Sequence, residues 1–248
     1  MKQMHVGVGG WTFEPWRNNF YPPGLAQKQE LAYASRQLSA IEVNGTFYST
    51  FGAPTFAKWR DETPEGFVFS LKAHRFTTHR RELGTAGEGI ARFIGSGLAE
   101  LRDKLGPILW QFMPTKQFDA GDVEAFLKLL PREVAGRPLR HVLDVRHDSF
   151  ATEAYLDLLH RYGATTVYTD SLRFPAIPHA RSDWAYLRLM RSEADCPTGY
   201  PLEALQPWAD GARQWVAQSE KHEAFVFFIN GAKERAPAAA KKFIELVG

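Results

Sequence analysis

Short apolar runs recur along the chain, separated by stretches in which apolar side chains return every three or four positions. The runs begin near Val6, Ile41, Phe67, Ile108, His141, Thr166, Ala185 and Phe225. Their mean spacing is about 31 residues, the length of one strand–helix–strand repeat. Between them, Tyr155, Leu158, Leu159 and Tyr162 carry the helical period, with Thr152 placed as N-cap and Gly163 at the C-terminal end. Val123, Phe126, Leu127 and Leu130 repeat the pattern and Pro131 stops it. Ile90, Phe93, Ile94, Leu98 and Leu101 read as one further stripe, and Ala240, Phe243, Ile244 and Val247 as the last. Such stripes pack on a sheet.

Strands alternating with helices lead to an open doubly wound sheet or a closed eightfold barrel. Eight units in about 250 residues match the size of a TIM-like (β/α)8 barrel. The sixth unit departs from the pattern. Residues 171–183 hold two prolines and no apolar stripe, so its helix is expected to be short or missing. No composition shift marks a linker, and the expectation is one TIM-barrel domain over residues 1–248.

Lys and Arg number 30 against 28 Asp and Glu, a net charge of +2 spread over 248 residues. A bulk electrostatic grip on nucleic acid or acidic membrane is therefore not expected. Hydrophobic residues make up 44% and charged residues 23%, which excludes a disordered chain, and no segment approaches the ~20 apolar residues of a membrane helix. Residues 1–7 run almost directly into strand-like sequence without an apolar signal core, and there is one cysteine, Cys196, with no histidine beside it. The expectation is a cytoplasmic protein whose cysteine is a small apolar residue.

In barrels of this kind, catalytic and binding groups cluster at the C-terminal ends of the strands. Those ends carry Trp11; Glu42 and Asn44, two apart and so on one face; Lys72 and His74; Gln111; Asp144, Arg146 and His147; Asp170; Arg188; and Asn230. Trp110 and Phe112 flank Gln111, while Phe47 and Tyr48 follow Asn44; of these rings, Phe47 and Phe112 are expected to pack in the core. A closed barrel would bring nine of these polar groups (Glu42, Asn44, Lys72, Gln111, Asp144, Arg146, Asp170, Arg188 and Asn230) to one mouth. Clusters of buried mixed charge are costly, and a site is the usual reason that they persist. Bland readings stand beside each: Glu42 paired with Lys72 or Arg146, Asp144 orienting Arg146, Arg188 paired only with Asp170.

The same segments resemble the YecE-like family, domain of unknown function 72, a TIM-barrel family. The resemblance rests on Gly7 to Trp16, Phe20-Tyr21-Pro22, Ile41 to Tyr48, and Phe67 to Lys72 with Thr78-His79. Leu105 to Gln111, Asp144 with Arg146-His147, Asp170, Tyr186-Leu187-Arg188 and Asn230 complete it. It implies the barrel and a shared mouth, but no reaction. Three positions depart from the family pattern. Asp144 stands where the family has Glu, Phe150 where it has Trp, and Met190-Arg191 where it has His-Gly, which removes one candidate acid, base or ligand.

No dinucleotide fingerprint, nucleophile elbow, phosphate-loop lysine or His-Glu-x-x-His occurs. Glu42, His74, Asp144, His147 and Asp170 offer donors for a divalent metal, but Lys72, Arg146 and Arg188 at the same mouth would repel it, so a metal is the less favoured reading. An anion suits the cations better, and Arg188, Arg191, Asn230 and Gly231 come from the loops where barrels hold phosphate. Trp11 is the best candidate for a ring facing the ligand. The leading expectation is an enzyme acting on a small phosphorylated or sugar-like anion by acid–base chemistry. Glu42 and Asp144 would be its acid and base, Lys72 and Arg146 would tune them, and Arg188 would bind the anion. The alternatives are a nucleic-acid-binding or metal-dependent phosphodiesterase-like barrel, suggested by the basic loop His74–Arg81, or a non-catalytic binding protein.

Overall fold

The computed structural model describes residues 3–178 and 181–248. Met1 and Lys2 of the N-terminal reading, and His179 and Ala180 of the sixth unit, lie outside the described residues.

Eight parallel strands close into one barrel. They are β1 (Met4–Gly9), β2 (Ala40–Val43), β3 (Val68–Lys72), β4 (Leu105–Gln111), β5 (His141–Asp144), β6 (Thr165–Thr169), β7 (Trp184–Leu189) and β8 (Glu223–Phe228). Each strand pairs with its neighbours in sequence, and β1 closes the ring against β8 through Val6 opposite Val226. All eight begin within three residues of where the apolar runs place them. Closure demands a close approach at Gly7, where a Cβ would sit 1.8 Å from the carbonyl oxygen of Ala40, so only glycine lets β1 lie against β2 there.

The helices α1 (Glu30–Gln37), α2 (Ala53–Glu62), α3 (Gly87–Ile94), α4 (Ala120–Leu129), α5 (Glu153–Tyr162), α6 (Leu202–Ala217) and α7 (Ala236–Val247) surround the barrel. Their apolar stripes meet the outward strand faces in one large core, which takes in Trp16, Phe69, Trp110, Phe126 and Phe243. Helix α5 follows its sequence signals. The Thr152 side chain accepts from Tyr155 N, and Gly163 ends the helix with φ 66°. Between β6 and β7 no helix forms among the described residues, as expected from Pro175 and Pro178, which lack the N–H a helix would need.

One helical reading is corrected. The stripe from Ile90 to Leu101 is not a single helix: α3 stops at Ile94, and a separate 3-10 segment covers Leu98–Lys104. Gly97 makes the break with φ 107°, a backbone that L side chains avoid. A Cβ there would also lie 2.6 Å from the backbone of Ala53 at the start of α2. A small antiparallel hairpin pairing Glu133–Val134 with Arg137–Pro138 has no counterpart in the apolar pattern.

Inside the barrel a smaller core fills the lower layers, with Val68, Val142, Val167, Trp184 and Phe225. Further up β2, β3, β4, β5 and β7 the interior turns polar, at Glu42, Ser70, Lys72, Gln111, Asp144 and Arg188. This change of character along the same inward face positions the site.

Candidate functional site

The polar layer starts from Arg188 on β7, fully buried in the barrel axis. Its Nη1 donates to Asp144 Oδ2 at 2.7 Å and its Nη2 to Glu42 Oε1 at 3.0 Å. The Tyr186 hydroxyl, one inward position below, donates to Glu42 Oε2 at 2.8 Å and lies 2.7 Å from Ser70 Oγ. Burial and the Glu42 charge push the Tyr186 phenol well above its usual range, so it stays a donor. Burial works against the Arg188 charge, but Glu42 and Asp144 more than offset it and hold the guanidinium protonated. Arg188 Nε is buried without a hydrogen-bond partner.

Arg146 completes the layer from the loop after β5. Its Nη2 donates to Gln111 Oε1 at 2.7 Å and to Asp144 Oδ2 at 2.9 Å, and Phe174 stacks on the guanidinium at 4.4 Å. Gln111 and Asp144 face each other in the β4–β5 register.

Lys72 ends β3 and behaves differently. Thr46 Oγ1 donates to its carbonyl at 2.7 Å, and its ammonium sits 4.1 Å above the Phe47 ring. Among the described residues no carboxylate lies within ion-pair distance of it. Burial, and then the Arg188 charge, pull its pKa down to about 8, with Glu42 and Asp144 only partly restoring it.

Above this layer opens a cavity of about 330 Å³. Asn44, Lys72, Gln111, Arg146, Arg188 and Asn230 line it. Glu42 and Asp144 lie beneath, bound to the arginine that forms its floor. Eight of the nine residues expected at one mouth are therefore brought together there. Asn230 adopts φ 62°, a left-handed conformation that Asn tolerates better than most residues.

Several sequence-based expectations are corrected. Asp170, the ninth, turns away: it accepts from Met190 N at 2.6 Å and from the Tyr200 hydroxyl at 2.8 Å, tying the loops after β6 and β7 together. Arg188 therefore pairs with Glu42 and Asp144, not with Asp170. Glu42 pairs with neither Lys72 nor Arg146. His74 and His147 do not line the cavity, because each caps a short 3-10 turn, accepting from Phe76 N and Ser149 N respectively. Trp11 packs edge-on against Trp59, with ring centroids 5.1 Å apart, beside an adjoining depression that shares Gly9, Asn44 and Lys233 with the cavity. Trp110 faces the helices, donating to His141 Nδ1 at 3.1 Å, whereas Phe112 is core, as expected of that ring. Arg191 is exposed and outside the cavity. The five proposed metal donors are dispersed; among the described residues no three His, Cys, Asp or Glu side chains group to hold a cation.

Lys233 also lines the cavity and escaped the sequence reading. It lies over Phe13 at 4.4 Å, and burial lowers its pKa. Its signal was present as a cation three residues beyond Asn230, in the turn after β8. Tyr48 and Trp16 complete the wall.

Known proteins place this architecture. The protein YecE of Escherichia coli K12 is 24% identical over 213 residues, which cover 82% of this chain and 72% of that one. YunF of Bacillus subtilis is 31% identical over 116 residues, 45% of this chain and 40% of its own length. A DUF72 family protein from Thermotoga maritima superposes with a TM-score of 0.74 at 22% identity, over 99% of both chains. The profile of the family described as "Protein of unknown function DUF72" matches residues 5–248, and the chain belongs to that family.

Proposed function

We propose that the chain is an enzyme that binds a small anionic molecule, phosphorylated or sugar-like, in the barrel mouth and acts on it by acid–base chemistry. The observation that carries this reading is a charge imbalance. Arg146, Arg188, Lys72 and Lys233 face Glu42 and Asp144, and both carboxylates are engaged by the arginines. The two lysines line the cavity and keep no ion-pair partner among the described residues. A bound anion satisfies both.

In this reading Lys72 moves the proton, since it lines the cavity and burial lowers its pKa to about 8. Glu42 and Asp144 are positioning groups: they aim and charge Arg188, and their engaged oxygens are not the first to meet a substrate. Tyr186 orients Glu42 by donating to its Oε2.

The test is a thermal-shift series with inorganic phosphate, sugar phosphates, keto acids, divalent metals and oligonucleotides. A ligand at a hundredfold excess over its Kd stabilises by about 2.7 kcal/mol, a readily measured rise. A rise with small anions that is lost in Lys72→Met and Lys233→Met is expected. No rise with any small anion, or one indifferent to both substitutions, removes the reading. Stabilisation by an oligonucleotide alone, falling steeply with salt, would put a nucleic acid in its place.

A further inference from the structure

Lys72 has a combination of surroundings that proton transfer alone does not require. It ends a barrel strand whose position is pinned by the Thr46 bond to its own carbonyl. Its amine stands over an aromatic face, not beside a carboxylate, and looks into a cavity at the lower end of the size range for ligand sites. Three further cations, Arg146, Arg188 and Lys233, line the same space and would hold an anionic group in it. An amine without an acidic partner, next to an anion anchor, is the arrangement a nucleophilic lysine needs.

We infer that Lys72 forms an imine with the carbonyl carbon of a small substrate that also carries an anionic group, a keto acid or a phosphorylated sugar in its open-chain form. The inference rests on the anion-binding reading of the mouth and names the substrate class within it. The amine lone pair adds to the carbonyl carbon, and the proton lost by nitrogen passes to the former carbonyl oxygen, giving a carbinolamine. That carbon–oxygen bond then breaks. The hydroxyl leaves as water with one proton from solvent at the open mouth, and the product is a protonated imine. The positive nitrogen accepts an electron pair when a neighbouring C–H or C–C bond breaks. No oxidant or further reactant is required.

The low pKa supports the chemistry without carrying it. With a value of about 8, roughly a quarter of the lysine is neutral at pH 7.5, against about 0.1% for an ordinary lysine. Arg146 and Arg188 cannot substitute, because guanidinium stays protonated and is no nucleophile.

Borohydride trapping tests this on the whole chain. The protein is mixed with pyruvate, or separately with dihydroxyacetone phosphate, reduced, digested and mapped by mass. The expected result is a secondary-amine adduct on Lys72 at least about tenfold above the mean of the other lysines. It should diminish with inorganic phosphate as competitor and vanish in Lys72→Arg. The competitor arm uses unaltered protein, so it does not depend on the variant folding. The pyruvate and dihydroxyacetone phosphate arms separate a carboxylate anchor from a phosphate one. Adducts spread evenly over surface lysines, or unaffected by phosphate, overturn the inference. No adduct on Lys72 while small anions still stabilise the protein through Lys72 and Lys233 overturns the imine and leaves the anion site standing. No adduct and no stabilisation overturn both.

Discussion

Replacing Arg188 by Met tests the centre of the barrel most directly. The arginine side chain is 2% exposed, and its partners Glu42 and Asp144 are 0% and 3% exposed. Methionine fills much of the aliphatic volume but leaves the carboxylates. Asp144 keeps Arg146, whereas Glu42 keeps only the Tyr186 hydroxyl. Leaving a buried charge unpaired costs about 3–5 kcal/mol. For a chain of this length that lowers Tm by roughly 6–20 °C. The penalty depends on pH in a defined direction. Burial disfavours the charged form of a carboxylate that has lost its cation, so the variant loses stability as pH rises out of the acid range. Urea denaturation should therefore show a deficit at pH 5 smaller than at pH 8 by at least about 1.4 kcal/mol. Adding Glu42→Gln to Arg188→Met should recover most of the loss, because the orphan charge is gone. A deficit below about 1 kcal/mol, one independent of pH, or a double variant no better than the single would refute the buried-pair argument.

Two further outcomes follow from the same layer and from the barrel wall. Because the Lys72 pKa is lowered to about 8 on folding, its charge opposes folding below that pH, and the penalty fades as pH rises from about 8 to the unfolded value near 10.5. Lys72→Met should thus raise Tm at pH 7 and lose that advantage by pH 11, as followed by circular dichroism melts; no difference between the two pH values would contradict the burial of the amine. Gly7→Ala should prevent barrel closure, because the added carbon lies inside the Ala40 carbonyl. The variant is expected to lose cooperative unfolding, and a wild-type melt would contradict the β1–β2 contact.

Two periodicities in the chain determined the architecture. Apolar runs at strand length and stripes at helical spacing are local properties, and each element buries the face its own sequence supplies. That is why every barrel strand could be located, why α5 carries its Thr152 cap and Gly163 stop, and why no helix forms among the described residues between Thr169 and Trp184. The chemistry at the strand ends was legible for a related reason. A parallel barrel sends all its C-terminal ends to one face, so Glu42, Lys72, Gln111, Asp144, Arg146 and Arg188 had to converge once the ring closed.

Which partner each of them took was decided only by the tertiary structure. Glu42 meets Arg188 and Tyr186 across the barrel because the register of the strands sets which inward residues share a layer, and no local pattern encodes that register. Asp170 was lost to Tyr200, thirty residues on, whose hydroxyl reached it through a loop without periodicity. His74 and His147 were spent on their own turns, where a ring nitrogen two residues from a free N–H outcompetes a distant ligand. Lys233 joined the cavity from an irregular turn, and Gly97 split a continuous stripe because α2 passes too close for a side chain. Spacing along the chain dictates which faces are apolar and which strand ends are charged; distance in space dictates which of those charges remain unpaired, and that is what leaves Lys72 facing the cavity.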